Sequence, residues 1–322
     1  MSFIQTVTGR IDPADLGPTD CHDHLFIRGG MPVLRYPDFL LDDYDKIAEG
    51  TSEFHAAGGR AIIEMSPIDW GRDAASMARL SRDTGVHIIA ATGFHKLFYY
   101  SDIHWVYDYS EEQIAALIEA EVTEGLDEYN YAGPLVKRIE GGAGVIKIGT
   151  QTGKFSPTEE KMLAAVARAH RATGTPVLTH TDEGALAMEQ VDRLMELGVP
   201  VDCIGLSHMD RRIDLDFHVE LASRGVYLEY DALTRVAKGF TESTLKLVLG
   251  MIEAGQGSQV LLGGDISRQG YWTSYGGGPG LAFVVGEFRE RLAKAGLTTE
   301  QIAMLYEDNP RKFLTFGPAA SA

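Results

Sequence analysis

The chain has 322 residues, of which 44% are hydrophobic and 23% charged, the proportions of an ordinary globular protein. Its formal net charge of −17, from 46 acidic and 29 basic side chains, argues against a nucleic acid partner. We find no apolar run long enough to span a bilayer, no secretory signal at the start of the chain and only two cysteines, so we expect a cytoplasmic protein without a membrane partner.

Short apolar, β-branched segments alternate with amphipathic helical segments along the chain. The strand segments cover residues 19–25, 61–67, 87–93, 144–150, 176–181, 203–208, 226–231 and 259–265. Eight strands alternating with helices predict one (β/α)8 TIM barrel, a single domain over residues 1–322. A doubly wound open sheet is the alternative, but no GxGxxG turn follows the first strand.

Polar side chains at the carboxyl ends of these strands are the candidate functional residues, because a barrel carries its chemistry there. They are His22 and His24 in CHDHL, Lys147, His180, His208 and Asp265. Since side chains alternate along a strand, the two histidines of CHDHL share one face and Asp23 faces the surrounding helices. A solvated edge strand would also explain that segment alone. Imidazole and carboxylate ligands together suit zinc, manganese, iron or cobalt.

The strand lysine, Lys147, does not fit such a site as an ammonium, because metal ions would repel it. A neutral amine in a desolvated site could instead react with carbon dioxide and form a carbamate that bridges two metal ions. The alternative is an ion pair with an interior carboxylate. Four histidines and an aspartate at matching strand ends favour the carbamate.

The order HxH, Lys, His, His, Asp on the first, fourth, fifth, sixth and eighth strands resembles the phosphotriesterase-like branch of the amidohydrolase superfamily. The resemblance covers nearly the whole chain through CHDHL, VIKIGT, LTHT, GLSH, LLGGD and DNP. It implies that His22, His24 and Asp265 hold the more buried metal ion and that His180 and His208 hold the more exposed one. Carboxylated Lys147 would bridge both; a related branch of doubtful activity has Glu at that position.

The resemblance implies a hydrolase with two divalent metal ions, zinc first, with manganese, cobalt or iron as alternatives. Two ions roughly 3.5 to 4 Å apart would activate a bridging hydroxide and polarise the substrate. In this scheme the hydroxide attacks, and Asp265 is both a ligand and a proton acceptor. Tyr99 in GFHKLFYYSD could donate a hydrogen bond to the substrate, as in lactonase relatives, or could simply pack the loop.

Three cations follow the seventh and eighth strands, the position where barrels often bind phosphate. Arg235, Lys238 and Arg268 therefore predict an anionic substrate, although solvated loop charge is the alternative. The loop SRQGYWTSYGGGPG also resembles that of relatives that open phosphorylated sugar lactones. We expect a lactonase for a small, acidic sugar lactone, and a possible homodimer because family members are often dimers.

Two other functions remain open at this stage. The first is a phosphotriesterase or acyl-homoserine lactonase, whose apolar pocket could be formed by Phe98, Tyr100, Trp272 and Tyr275. The second is a binding or sensing protein that retains the metal shell without turnover. Lys147 and Asp265 count against the second, since binding a ligand without metal requires neither.

Overall fold

A sheet of eight parallel strands forms the centre of the molecule in the computed structural model, which describes residues 2–316. Ahead of it lies an antiparallel hairpin of β1 (Ile4–Thr6) and β2 (Gly9–Ile11). The sheet consists of β3 (Thr19–Asp23), β4 (Ala61–Glu64), β5 (His87–Phe94), β6 (Ala143–Gly149), β7 (Val177–His180), β8 (Ile204–Ser207), β9 (Tyr227–Tyr230) and β10 (Val260–Leu262). Each strand pairs with its neighbours in chain order from β3 to β10.

Helices connect the consecutive strands and cover the outside of the sheet. The α-helices are α1 (Met31–Arg35), α2 (Tyr44–Ala56), α3 (Ala74–Thr84), α4 (Glu111–Thr123), α5 (Pro157–Thr173), α6 (Ala187–Glu196), α7 (Leu215–Ser223), α8 (Phe240–Glu253), α9 (Ala282–Val285), α10 (Glu287–Lys294), α11 (Thr299–Ala303) and α12 (Asn309–Leu314). A π-helical turn over Met304–Asp308 joins the last two. Within residues 2–316, no helix combines the length and apolar character needed to cross a membrane.

The predicted (β/α)8 barrel is confirmed, and each of the eight predicted strand segments overlaps a strand of the sheet. Seven of the eight strands end earlier than predicted, and β5 ends one residue later. His24, His208 and Asp265 therefore lie just beyond β3, β8 and β10, on the loops at the carboxyl end of the barrel.

The barrel closes where the first and last predicted site segments meet. The backbone N–H groups of Gly264 and Asp265 donate to the carbonyl oxygen of His22 at 3.1 and 2.7 Å. A Cβ atom at Gly263 would lie 2.7 Å from the backbone nitrogen of His22, so only glycine permits this approach. Closure therefore brings the CHDHL and LLGGD segments together.

The molecule has two hydrophobic cores, one inside the barrel and one between the strands and the surrounding helices. The interior core contains alternate strand residues, among them Val145, Leu178, Tyr227 and Leu261, and the last helix adds Phe313 at the amino-terminal end. The other core packs between the strands and the surrounding helices. Because strand side chains alternate, residues two positions after interior core residues also face inward, nearer the carboxyl end.

Candidate active site

A cavity of about 240 Å³ lies at the carboxyl end of the barrel. Its lining includes every site residue predicted from the sequence: His22, His24, Tyr99, Lys147, His180, His208, Arg235, Lys238, Asp265 and Arg268. Strand alternation explains part of this convergence. Lys147 and His180 come two residues after Val145 and Leu178 of the interior core.

Simple alternation of side chains along β3 does not explain why His22 of CHDHL lines the cavity. Register with β4 shifts between Asp20 and Asp23, so that Cys21 and His22 together oppose the single residue Ile63. Such a β-bulge turns two consecutive side chains toward the same side. Cys21 consequently packs in the interior core, while His22 lines the cavity.

The expectation for Asp23 is only half right. Its side chain does point away from the cavity, but the backbone N–H of Ile266 donates to Asp23 Oδ1 at 2.5 Å. The carboxyl group therefore binds the loop after β10 instead of facing a surrounding helix. Burial raises the pKa of Asp23 well above its ordinary value, as does the negative charge of neighbouring Asp20.

Each of these histidines has an acceptor on its Nδ1 side. His22 Nδ1 lies 2.6 Å from Glu229 Oε2, and His24 Nδ1 lies 2.9 Å from the hydroxyl of Ser66. That hydroxyl donates to Glu64 Oε1 at 2.6 Å, so it must accept from His24. Both rings thus carry their proton on Nδ1 and keep a lone pair on Nε2.

The free ring nitrogens converge on Asp265. Its Oδ1 is 3.9 Å from His22 Nε2 and 3.7 Å from His24 Nε2, and His22 Nε2 has no hydrogen-bond partner among the described residues. Burial lowers the pKa of both histidines to about 3, so both rings are neutral at pH 7. Neutral imidazoles oriented by acceptors behind them are the form that binds metal ions.

A second pair of ring nitrogens meets at the mouth of the cavity. His208 Nε2 lies 2.8 Å from His180 Nδ1, while the opposite nitrogens face carboxylates. His208 Nδ1 is 2.8 Å from Asp231, and His180 Nε2 is 2.9 Å from Asp182. Burial lowers the pKa of His180 to about 4, and the 2.8 Å separation is that of a hydrogen bond, which one ring donates to the other when the proton lies between them. Where neither nitrogen carries a proton, a cation would bind both lone pairs.

Lys147 is fully buried and lines the same cavity as both groups of histidines. Its Nζ donates to the carbonyl oxygen of Met65 at 2.9 Å. Burial lowers its pKa to about 8 despite the surrounding carboxylates, so a fraction of the amine is neutral near pH 7. That neutral fraction is what carbamate formation requires.

Two sets of three residues have ligand atoms close enough to hold one metal ion, with all atoms within 4.8 Å of one another. The first, His22, His24 and Asp265, is the set predicted for the more buried ion. The second combines His22 and His208 with Asp231, a residue that the sequence analysis did not include. The donor types and their burial thus fit divalent metal ions.

Two guanidinium groups form ion pairs with Asp265. Arg211 Nη2 and Arg235 Nη2 lie 2.5 and 2.7 Å from its Oδ2. Burial raises the pKa of Asp265, but the charges of Arg235 and Arg211 outweigh burial and hold it well below its ordinary range. The carboxylate stays ionised, as a ligand must be, and can accept a proton only if these arginines move away.

The three cations predicted to bind an anion have different surroundings. Arg235 is engaged by Asp265, and Arg268 pairs with Asp38 at 2.7 and 2.8 Å while lying over the ring of Phe39. Lys238 lines the cavity without an ion pair among residues 2–316. It is the cation of the three that is free to meet a ligand.

The model of the phosphotriesterase family matches residues 2–314. This chain belongs to the phosphotriesterase family. A protein named phospho-furanose lactonase from Mycoplasmopsis synoviae is 34% identical over 325 residues, 98% of this chain and 92% of that protein. A lactonase structure from Listeria monocytogenes has a TM-score of 0.90 at 28% identity, covering 98% of this chain and 100% of that one.

Phosphate occupies the active site in the structure of another relative, the phosphotriesterase homology protein of Escherichia coli. It matches with a TM-score of 0.84 and 27% identity over 93% of this chain and 99% of that one. Membership of the phosphotriesterase family confirms the resemblance and the predicted enzyme class, a hydrolase acting on ester bonds.

The four aromatic residues expected to form an apolar pocket for an acyl chain or a phosphotriester do not line the cavity of this phosphotriesterase-family enzyme. Trp272, Tyr100 and Phe98 do not line the cavity. Trp272 is fully buried and Phe98 is partly exposed. The hydroxyl group of Tyr100 donates to the carbonyl oxygen of Ile68. Tyr275 does not line it either; its hydroxyl accepts a hydrogen bond from the backbone of Asp43. This expectation was wrong, because the loops carry these rings away from the cavity.

The aromatic lining of the cavity comes instead from Phe39, Trp70, Tyr99 and Tyr271. Tyr99 meets Trp70 edge to face, with the ring centroids 5.4 Å apart. Burial raises the pKa of Tyr99 to about 12, so its phenol keeps its proton and can donate a hydrogen bond. Tyr99 therefore lines the same cavity as the candidate metal ligands, and its role stays a prediction.

Several charged residues of the site were not predicted from the sequence. Glu229 and Asp231 could have been found, because they follow Tyr227 of the interior core by two and four residues, Glu229 on β9 and Asp231 directly after it. Lys96, Asp182 and Arg211 also belong to the site, and all three line the cavity. They lie in loops after β5, β7 and β8, where no periodicity predicts the direction of a side chain.

Proposed function

We propose that this chain is a lactonase that opens an anionic, phosphorylated sugar lactone with the help of two divalent metal ions. The observation that carries the proposal is the convergence of neutral imidazole nitrogens on Asp265 and buried Lys147. That convergence lies in a cavity whose rim is cationic although the whole chain is strongly acidic.

His22, His24 and Asp265 would hold the more buried ion, and His180 and His208 would hold the more exposed one. Carboxylated Lys147 would bridge them, and zinc is the first choice, with manganese, cobalt or iron as alternatives. When bound, the two ions would activate water and polarise the lactone carbonyl group. The buried position of Lys147 and its lowered pKa support the carbamate.

The remaining residues of the cavity would bind and orient the substrate. Tyr99 would donate a hydrogen bond to an oxygen of the lactone, and Lys238 would pair with the phosphate group. Arg268 would hold that group from the neighbouring loop. Arg235 and Arg211 would keep Asp265 ionised by their charges.

The charged residues that line the cavity favour an anionic substrate over a neutral acyl lactone or a phosphotriester. Apart from Lys147, which this proposal takes as the bridging carbamate, five basic residues line the cavity, namely Lys96, Arg211, Arg235, Lys238 and Arg268, against the two acidic residues Asp182 and Asp265. The names of two relatives agree with this preference: one is a phospho-furanose lactonase and another holds phosphate in its active site. A small-molecule substrate also fits the cavity volume of about 240 Å³.

A cytoplasmic location, a single domain over residues 1–322 and a homodimer stay predictions from the sequence. Residue 1 and residues 317–322 lie outside the described residues.

The substrate proposal is tested by comparing a phosphorylated furanose lactone with the same lactone without phosphate. We expect Lys238→Ala and Arg268→Ala each to lower kcat/KM for the phosphorylated lactone by about tenfold or more, since an ionic hydrogen bond is worth about 1.5–3 kcal/mol. Values for the neutral lactone should change little. The measurement is steady-state hydrolysis by the metal-loaded enzyme.

Lys246→Ala is the matched control, because Lys246 is an exposed lysine on α8 that does not line the cavity. It alters the net charge as Lys238→Ala does and should leave both kcat/KM values unchanged. Equal losses on the two lactones in the Lys238 and Arg268 variants would refute the anion site.

A further inference from the structure

A chain of polar contacts runs from the rim of the cavity to one of the expected metal ligands. Lys96 Nζ donates to both carboxylate oxygens of Asp182, at 2.7 and 3.1 Å. Asp182 Oδ1 in turn lies 2.9 Å from His180 Nε2. The lysine is in the loop after β5 and the aspartate in the loop after β7, so the contact joins two different loops.

The other ring nitrogen of His180, Nδ1, lies beside a second hydrogen-bond partner. His180 Nδ1 is 2.8 Å from His208 Nε2, and the proton of His208 is on its Nδ1, which faces Asp231. If His180 carried its proton on Nδ1, it would donate to His208 Nε2. That hydrogen bond would occupy both nitrogens that the more exposed metal ion needs.

The carboxylate of Asp182 selects against this competing tautomer. An ionised carboxylate only accepts hydrogen bonds, so it favours the ring form that carries the proton on Nε2. In that form His180 Nδ1 keeps its lone pair. Lys96 holds the carboxylate against the ring, because the Asp182 side chain is about one-third exposed and would otherwise turn toward water.

We propose that Asp182, held by Lys96, is a positioning residue that favours the metal-binding tautomer of His180 over the tautomer that donates a hydrogen bond to His208 across the 2.8 Å contact. The inference rests on the two-metal site proposed above. It assigns the two residues to the more exposed ion and leaves the His22, His24 and Asp265 group unaffected. Neither side chain touches the ring nitrogen that would bind the metal ion.

Zinc binding tests the proposal directly. We expect the affinity for the second zinc ion to fall about 10- to 100-fold in Asp182→Ala, the usual effect of removing a partner behind a ligating histidine. Lys96→Met should lower it less, since the carboxylate remains, and Lys96→Arg should restore it. The double variant should be no weaker than Asp182→Ala alone, because both residues act through one hydrogen bond. Bound zinc is counted after equilibration in zinc buffers of known free concentration.

The tautomer can be read in the metal-free protein by NMR of ¹⁵N-labelled histidine. We expect the proton of His180 on Nε2 in the wild-type protein and a shift toward Nδ1 in Asp182→Ala. The control is Lys137→Met, which removes a surface ion pair between Lys137 and Glu128, 2.6 Å apart, and should alter neither measurement.

The outcomes distinguish this inference from the function on which it rests. A wild-type protein that binds fewer than two zinc ions would overturn both. Two ions bound with equal affinity by wild type and Asp182→Ala, with an unchanged His180 tautomer, would overturn this inference alone. If Asp182→Ala does not fold, Lys96→Met gives the same two measurements with Asp182 in place.

Discussion

The histidines that the sequence identifies depend on acceptors supplied by other strands. Glu229 stands behind His22, Ser66 behind His24 and Asp231 behind His208. An acceptor on one ring nitrogen fixes the tautomer and leaves the other nitrogen free for a metal ion. A histidine at a strand end can therefore bind a metal ion only when a hydrogen-bond acceptor on its other ring nitrogen sets the right tautomer.

Lys147→Met tests the role of the buried amine, because methionine has a similar volume and no nitrogen. We expect fewer than two divalent ions per chain and a fall in kcat/KM of about 100-fold or more, since the bridging group is lost. Metal analysis and lactone hydrolysis measure the two effects. A variant that retained both ions and full activity would show that Lys147 is an ordinary buried lysine.

At the scale of elements, an ion pair inside the protein holds the loop after β4 beside the cavity. The guanidinium of Arg72 binds both carboxylate oxygens of Glu121 on α4, at 3.0 and 2.5 Å, and donates to the carbonyl oxygen of Ala91 on β5 at 2.7 Å. Both charged groups are fully buried. The same loop carries Trp70, which lines the cavity.

Glu121→Gln should destabilise the protein by about 3–5 kcal/mol, because it leaves a buried guanidinium without its counter-charge. Glu290→Gln removes an exposed ion pair with Lys294 on α10 and should change stability by no more than about 1 kcal/mol. Denaturant unfolding compares the two variants with the wild type. Similar small changes in both would mean that the Arg72 pair does not hold the loop.

At the scale of the whole molecule, burying neutral histidines at the barrel mouth makes stability depend on pH. The pKa of His24 is near 6.5 in an unfolded chain and about 3 in the folded protein, chiefly because of burial. Below pH 6.5 the unfolded chain binds a proton that the folded protein does not. The contribution of His24 to the free energy of unfolding is therefore lost as the pH falls from about 6.5 toward 3.

His24→Asn removes this contribution and should flatten the pH dependence of the metal-free protein. The difference in unfolding free energy between wild type and variant should change by up to about 1.4 kcal/mol per pH unit below pH 6.5. Buried Asp20, whose pKa burial raises to about 6, has the opposite effect, but it is common to both proteins and cancels in the difference. Unfolding in the presence of a chelator measures it; parallel pH profiles would contradict the prediction.

The barrel and most positions of the candidate ligands could be predicted from the sequence, because both follow from local periodicity. Lys147 and His180 keep the inward direction set two residues earlier by Val145 and Leu178. Glu229 on β9 and Asp231 directly after it keep the same alternation and could have been predicted from it.

The other features of the site depend on contacts that form only in the folded chain. His22 turns inward through a bulge against β4, and by alternation His208 would face outward with Leu206 of the outer core. A left-handed backbone at His208, with φ of 65°, redirects it to the cavity. Arg211, Lys96 and Asp182 reach the site from loops, and the four expected pocket aromatics do not. The physical reason is that strand periodicity is a local property, whereas bulges and loop paths depend on contacts between distant parts of the chain.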